Sequence, residues 1–213
     1  MLSNKQLAKR LFEIEALQFS PEDPFKWTSG ILSPVYCDNR LVMSDVRLRK
    51  EIAQSLAEKI REDYPDTDLI AGCATAGIPH AAWVAECLGL PMVYVRDKAK
   101  GHGKGNQIEG SMEAGQNAIV IEDLISTGKS SIAAAQALQK EGINVTGVLA
   151  LFSYELQKAV EAFRDADLSY QSLTTFPYLL QVMKEEEKVA EESYARLREW
   201  NQDPEAFSYN YQG

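Results

Sequence analysis

The segment Ile119-Val-Ile-Glu-Asp-Leu-Ile-Ser-Thr-Gly-Lys-Ser-Ser131 joins an apolar run to two adjacent carboxylates and then to a hydroxyl-rich, glycine-bearing turn. Backbone N–H groups from Ser126 to Ser130 can converge at a helix start, where the macrodipole also favours a dianion such as phosphate. Gly128 permits the close approach, and the hydroxyls of Ser126, Thr127, Ser130 and Ser131 add donors. Glu122 and Asp123 would repel that phosphate, so they should serve neutral sugar hydroxyls or developing positive charge. Phosphate plus diol suggests a ribose phosphate. The Thr-Gly-Lys-Ser ending is not a Walker A motif, because Asp123 stands where that motif requires its first glycine.

A second stretch carries cations at alternate positions: Arg96, Lys98, Lys100, His102 and Lys104, with Gly101, Gly103 and Gly105 between the later ones. In an extended chain all five project to one side. Such a loop is either a solvated hairpin or, beside a phosphate cradle, a lid that closes over a diphosphate, excludes water and stabilises charge as a bond breaks.

The elements that position these residues read as an α/β chain. Leu7, Leu11 and Ile14 recur at helical spacing, and a second amphipathic helix follows Ser44-Asp45 with Ile52, Leu56 and Ile60 on one face. From residue 69 short strands alternate with helices: strand 69–71, helix 78–88, strands 92–95 and 118–121, helix 131–140 and strand 145–151. That alternation predicts a mostly parallel sheet flanked by helices, with the chemistry at a strand's carboxyl end, where open α/β sheets bind ligands. Beyond about residue 175 the chain turns acidic and helical, and the run KEEEKVAEE at 184–192 reads as a solvated helix face.

At 213 residues with 45% hydrophobic residues, the chain can bury one principal core. The expectation is a single domain over 1–213, with a small N-terminal lobe at about 1–40, a core at about 41–175 and a helical segment at about 176–213. No stretch is long and apolar enough to span a bilayer and MLSNKQLAKR lacks an apolar signal core, which points to a cytoplasmic protein. Cys37, Cys73 and Cys87 lack the spacing of a zinc site or disulfide framework. A net charge of −9 opposes non-specific attachment to nucleic acid, so an anionic ligand must be held locally.

The 119–131 segment resembles the phosphoribosyl diphosphate (PRPP) signature of type I phosphoribosyltransferases. Val93-Tyr-Val-Arg-Asp-Lys-Ala-Lys-Gly-His-Gly-Lys-Gly-Asn-Gln-Ile-Glu-Gly110 resembles the mobile catalytic loop of orotate phosphoribosyltransferases, and Ser33-Pro-Val-Tyr-Cys-Asp-Asn-Arg40 resembles their orotate-side segment in its Gram-positive form. With the Ala74-Thr-Ala-Gly77 turn, the likeness spans roughly residues 20–155. It implies the type I phosphoribosyltransferase fold, with the N-terminal lobe over the base site. It also implies transfer of a 5-phosphoribosyl group from PRPP to orotate in pyrimidine biosynthesis, through an oxocarbenium-like transition state. By the same likeness PRPP is bound by Arg96, Lys98, Lys100, His102, Glu122, Asp123, Leu124, Ile125, Ser126, Thr127, Gly128, Lys129 and Ser130, with Ser126 also near orotate. Lys100, His102 and Asp123 are the implied catalytic residues. Mg²⁺ is the implied cofactor, held mainly through substrate oxygens rather than a protein cage, and the implied assembly is a homodimer with shared active sites.

The family's second loop cation is Asp97 here, Thr28 stands where many relatives have lysine, and Ser153-Tyr154-Glu155 lacks an arginine that some relatives use for the orotate carboxylate. Arg40 is then a candidate cation for that carboxylate. Two rivals are a phosphoribosyltransferase for a purine base and a non-catalytic PRPP-sensing regulator; the acidic balance and the retained loop cations oppose the second. His80 reads as a capping or surface residue, Cys73 as packing, and Trp27, Trp83 and Trp200 as packing or interface residues.

Overall fold

The protein, seen in a computed structural model, is described over residues 2–20, 23–27, 31–97 and 107–212. Helix α1 (Asn4–Glu13) begins with a reciprocal cap between Ser3 and Gln6 and leads into four short strands. These are β1 (Leu17–Phe19), β2 (Phe25–Lys26), β3 (Leu32–Ser33) and β4 (Val35–Cys37). They form two antiparallel ribbons, β1 with β4 and β2 with β3. A 3-10 helix (Asn39–Ser44) follows, and Asp45 then caps α2 (Val46–Asp63) by accepting from the N–H groups of Arg47 and Leu48.

The central sheet begins with β5 (Leu69–Cys73), α3 (Gly77–Leu88), β6 (Met92–Val95) and β7 (Ile108–Glu109). It continues with β8 (Asn117–Ile125), α4 (Lys129–Lys140), β9 (Asn144–Ser153), α5 (Gln157–Asp165) and β10 (Tyr170–Thr175). The strands lie in the order β10-β9-β8-β5-β6-β7, and only β7 runs antiparallel to its neighbour. Alternate residues feed opposite faces, as the period of an extended chain dictates. Ile70, Ile119, Ile121, Leu149 and Leu151 pack with Ile52, Leu56 and Ile60 of α2, while Ala71, Val120, Val148 and Ala150 pack with Leu138 of α4 and Phe163 of α5. The expected architecture, a mostly parallel α/β sheet covered on both faces, is the one observed.

Three sequence expectations are corrected. β8 does not stop at Ile121 but continues to Ile125, because β9 is long enough to pair with Glu122, Leu124 and Ile125. The two carboxylates therefore belong to the strand, and the turn begins after them. β10 was not expected: its YQSLTT sequence has little apolar periodicity, since it is an edge strand with only Thr174 fully buried. The acidic run at 184–192 is not one helix face either. α6 (Phe176–Glu185) ends inside it and α7 (Glu191–Gln202) starts near its end. Lys184 pairs with Glu191 across the break, and Glu185 and Glu186 pair with Lys5 and Lys9 of α1.

The C-terminal helices, α7 and α8 (Pro204–Gln212), hold the N-terminal ribbons in place. Trp200 is fully buried, and its ring lies 5.6 Å from Trp27, 5.6 Å from Tyr154 and 5.5 Å from Phe176, in each case edge to face. Its indole Nε1 donates to the Leu32 carbonyl at 3.0 Å, and Ser208 Oγ accepts from the Leu32 N–H at 2.9 Å. Trp200→Ala should cost about 3–5 kcal/mol by cavity formation and loss of the indole bond. Urea denaturation checks this; a loss below about 1 kcal/mol would show that the aromatic cluster is not what fastens the segment.

Candidate functional site

Two adjoining chambers open at the carboxyl ends of β5, β6 and β8. The first, about 480 Å³, is lined by Cys73, Arg96, Asp97, Gln107 and the turn from Ser126 to Ser130, together with the first turns of α4. The second, about 420 Å³, is lined by residues 36–40, the Ala74-Thr75-Ala76 turn, Glu122, Asp123 and Leu124. Ser126 and Ser130 belong to both walls, so the turn separates and joins the two spaces.

The turn has the geometry that an anion needs. Gly128, the N-cap of α4, is left-handed at φ 76°, and no side chain caps the helix. The first intrahelical bond runs from the Ile132 N–H to the Gly128 carbonyl, so the preceding N–H groups stand ahead of the ladder. Glycine is required here partly for that backbone angle and partly for packing: a Cβ at 128 would lie 2.6 Å from the Phe163 ring.

The two carboxylates divide their work. Glu122 is only 4% exposed. Its Oε1 accepts the Asp123 N–H at 3.0 Å, and its Oε2 accepts the hydroxyls of Ser130 at 3.1 Å and Ser131 at 3.4 Å. Those two hydroxyls, read from the sequence as phosphate donors, are thus drawn inward and fix the start of α4. Burial pushes the Glu122 carboxyl well above the usual carboxylate range, and the neighbouring Asp123 charge adds to this. Asp123 is raised as well, again chiefly by burial, with its side chain partly exposed at the second chamber. Gly77 makes this packing possible, since a Cβ there would stand 2.5 Å from the Ile121 carbonyl and 3.4 Å from Glu122 Oε1.

Of the remaining expected residues, Leu124 lines the second chamber, while Thr127 and the exposed Lys129 line the first. Ile125 faces the core, and its carbonyl accepts the Tyr154 N–H at 3.0 Å. Arg96 lies at the first chamber with Nη1 3.5 Å from Glu109 Oε1, and its backbone is tied to Gln107. Lys98, Lys100, His102 and Thr28 lie outside the described residues.

His80 is corrected: it is neither a cap nor a surface residue but 1% exposed, edge-on to Trp83 at 5.5 Å. Burial lowers its pKa to about 4, which keeps it neutral near pH 7. Cys73 packs as expected, with burial raising its thiol pKa. Sequence reasoning did not identify Asn39. It is 1% exposed and donates through Nδ2 to the Asp123 carbonyl at 2.8 Å, locking the 3-10 helix to the end of β8. Nothing in its sequence neighbourhood signals a partner 84 positions away.

Among the described residues no three or more His, Cys, Asp or Glu side chains are gathered as metal ligands. Asp123 lines the second chamber together with Asp38 and Glu122.

A phosphoribosyl transferase domain model matches residues 44–174. An orotate phosphoribosyltransferase of Enterococcus faecalis is 54% identical over 201 residues, covering 94% of this chain and 96% of its own length. The enzyme of that name from Bacillus subtilis is 49% identical over 200 residues, with coverage of 94% and 93%. Among solved structures, orotate phosphoribosyltransferase from Aeropyrum pernix superposes with a TM-score of 0.73 at 28% identity, covering 86% of this chain and 99% of the other.

The raised Glu122 value has a measurable consequence for the unliganded protein. The folded state holds this proton more tightly than the unfolded chain, whose value is near the ordinary 4.5. Stability that is fully present below that value is therefore lost as pH rises through the higher folded one. Glu122→Gln cannot ionise, so from about pH 5 to about pH 8 its urea stability relative to wild type should improve. A difference independent of pH would show that the carboxylate titrates in the ordinary range.

Proposed function

The chain belongs to the phosphoribosyl transferase family and, within it, to the orotate phosphoribosyltransferases, and from that premise we propose that it transfers the 5-phosphoribosyl group of PRPP to N1 of orotate. The products are orotidine 5′-phosphate and diphosphate, a step of pyrimidine nucleotide synthesis in the cytoplasm. The N1–C1 bond forms as the C1–O bond to diphosphate breaks; the electron pair leaves with the diphosphate, and the N1 proton ends on it directly or through solvent. The observation that carries this reading is the uncapped start of α4 beside Asp123, on a turn shared by two chambers. One chamber wall offers backbone donors for a phosphate. The other offers a carboxylate for ribose hydroxyls.

In this reading the 126–130 turn holds the 5′-phosphate through backbone N–H groups, aided by the hydroxyls of Ser126 and Thr127. Asp123 accepts from the ribose hydroxyls and offsets positive charge at the anomeric carbon as the bond breaks. Glu122 keeps the turn and Asp123 in register from beneath. Arg96 contacts the diphosphate, and Lys98, Lys100 and His102 form the cationic flap that closes on it, supplied across a homodimer interface. Held mainly with the substrate rather than in a protein cage, Mg²⁺ would supply further neutralisation of the leaving group, and Asp123 is the described side chain that would face it.

Purified protein with PRPP, Mg²⁺ and either orotate or purine bases tests the reading. Orotidine 5′-phosphate should be the sole nucleotide formed; a purine nucleotide, or PRPP binding without turnover, would overturn it. Lys100→Ala should lower kcat far more than it weakens PRPP binding, because the flap acts on the leaving group, and equal losses would count against that role. If sites are shared, mixing Lys100→Ala with Asp123→Ala subunits should restore up to about one intact site per mixed dimer. No recovery after verified subunit exchange would exclude sharing.

A further inference from the structure

We propose that Arg40 is the specificity anchor for the carboxylate of the base, gripping it at the mouth of the second chamber. The inference rests on the orotate reading and adds the residue that would distinguish an acidic pyrimidine from a neutral one. Among the described residues lining that chamber, the charged side chains are Asp38, Glu122, Asp123 and Arg40. Three of these four are acidic. Burial disfavours charge on Glu122, so the group among these that would favour an anionic planar ring is the single described cation.

The guanidinium is already aimed. Asp38 Oδ1 accepts from Arg40 Nε at 2.6 Å and Oδ2 accepts from Nη2 at 2.8 Å, a two-point fork that fixes the plane of the group. Tyr36 Oη lies 3.3 Å from Nη2. These bonds use Nε and Nη2 and leave the two N–H groups of Nη1 for a further acceptor. The side chain is 58% exposed, so a ligand can reach it without displacing packed groups.

The anchor is also held at a set distance from the sugar site. Arg40 follows Asn39, whose side chain donates to the Asp123 carbonyl at 2.8 Å. Asp38 caps the same 3-10 helix by accepting from the Arg40 N–H at 3.1 Å. One short, doubly fastened segment thus carries the cation for one end of the base, while the residue it grips carries the carboxylate for the ribose. The end of β9 offers no competing cation: Tyr154 is 2% exposed within the aromatic cluster, and Lys26 of β2 is not part of the chamber wall.

The test compares orotate with its methyl ester, which has the same ring but no charge on the substituent, in wild type, Arg40→Ala and Arg40→Lys. Thermal unfolding confirms that each variant is folded. Arg40→Ala should raise the KM for orotate about 10- to 100-fold, with the KM for PRPP changed less than about twofold. Inhibition by the methyl ester should be equal in wild type and Arg40→Ala, and Arg40→Lys should recover part of the orotate affinity by restoring charge without the fork. If orotate and ester weaken together, or if orotate KM does not move, the anchor is disproved. Failure of wild type to turn over orotate would instead refute the underlying reading.

Discussion

Glu122 sits where β8 runs on beside β9, and its two oxygens take up the Asp123 N–H and the hydroxyls of Ser130 and Ser131. A buried carboxylate in a low-dielectric interior is costly unless its lone pairs are satisfied. Here three donors converge on it from the strand that carries Asp123 and from the helix that carries the phosphate turn. The same bonds that stabilise the acid therefore fix the angle between Asp123 and the start of α4. Removing one of those donors would release both elements, so the geometry of the site and the satisfaction of a core group are one problem.

That arrangement depends on features distant in sequence. Gly77 lets α3 approach β8 closely enough to bury Glu122. Asn39 ties the N-terminal segment to the Asp123 backbone, and Trp200 and Ser208 tie Leu32 of the ribbon to the C-terminal helices. The N-terminal segment is thus held between β8 and the C-terminal helices. The C-terminal segment, whose charge run reads as a solvated helix face in the sequence, is part of the scaffold through its buried aromatic face.

Much of this was legible in the sequence because strong local patterns coincide with global structure. The short apolar runs at 69–71, 92–95 and 118–121 lie in strands of the central sheet, and Asp45 before the Ile52, Leu56 and Ile60 stripe marks a helix start that is observed. The turn between β8 and α4 was visible because glycine, hydroxyls and acids in that order have few other uses. What escaped was set by tertiary context. β10 is a polar edge strand, His80 gives no local sign of burial, and Asn39 acquires its role from a carbonyl far along the chain. The inward turn of Ser130 and Ser131 toward Glu122 could not be read either, since a hydroxyl at a helix start suits a buried acid as well as an external phosphate.

The charge pattern explains how a chain of net charge −9 can receive two anionic substrates. Its overall field repels them, so attraction must arise within a few ångströms of the site. The two described guanidinium groups there are each matched with an acid, Arg96 with Glu109 and Arg40 with Asp38, while the turn offers uncharged N–H groups at a helix start with Lys129 exposed beside them. A paired guanidinium has little reach into solvent, yet keeps N–H groups that reward an acceptor of the right shape. An anion that merely passes nearby gains little; one that fits both the turn and the forked cation gains at two points at once. Selectivity in such a site comes from simultaneous fit rather than from long-range steering, which follows from placing local donors in an acidic frame.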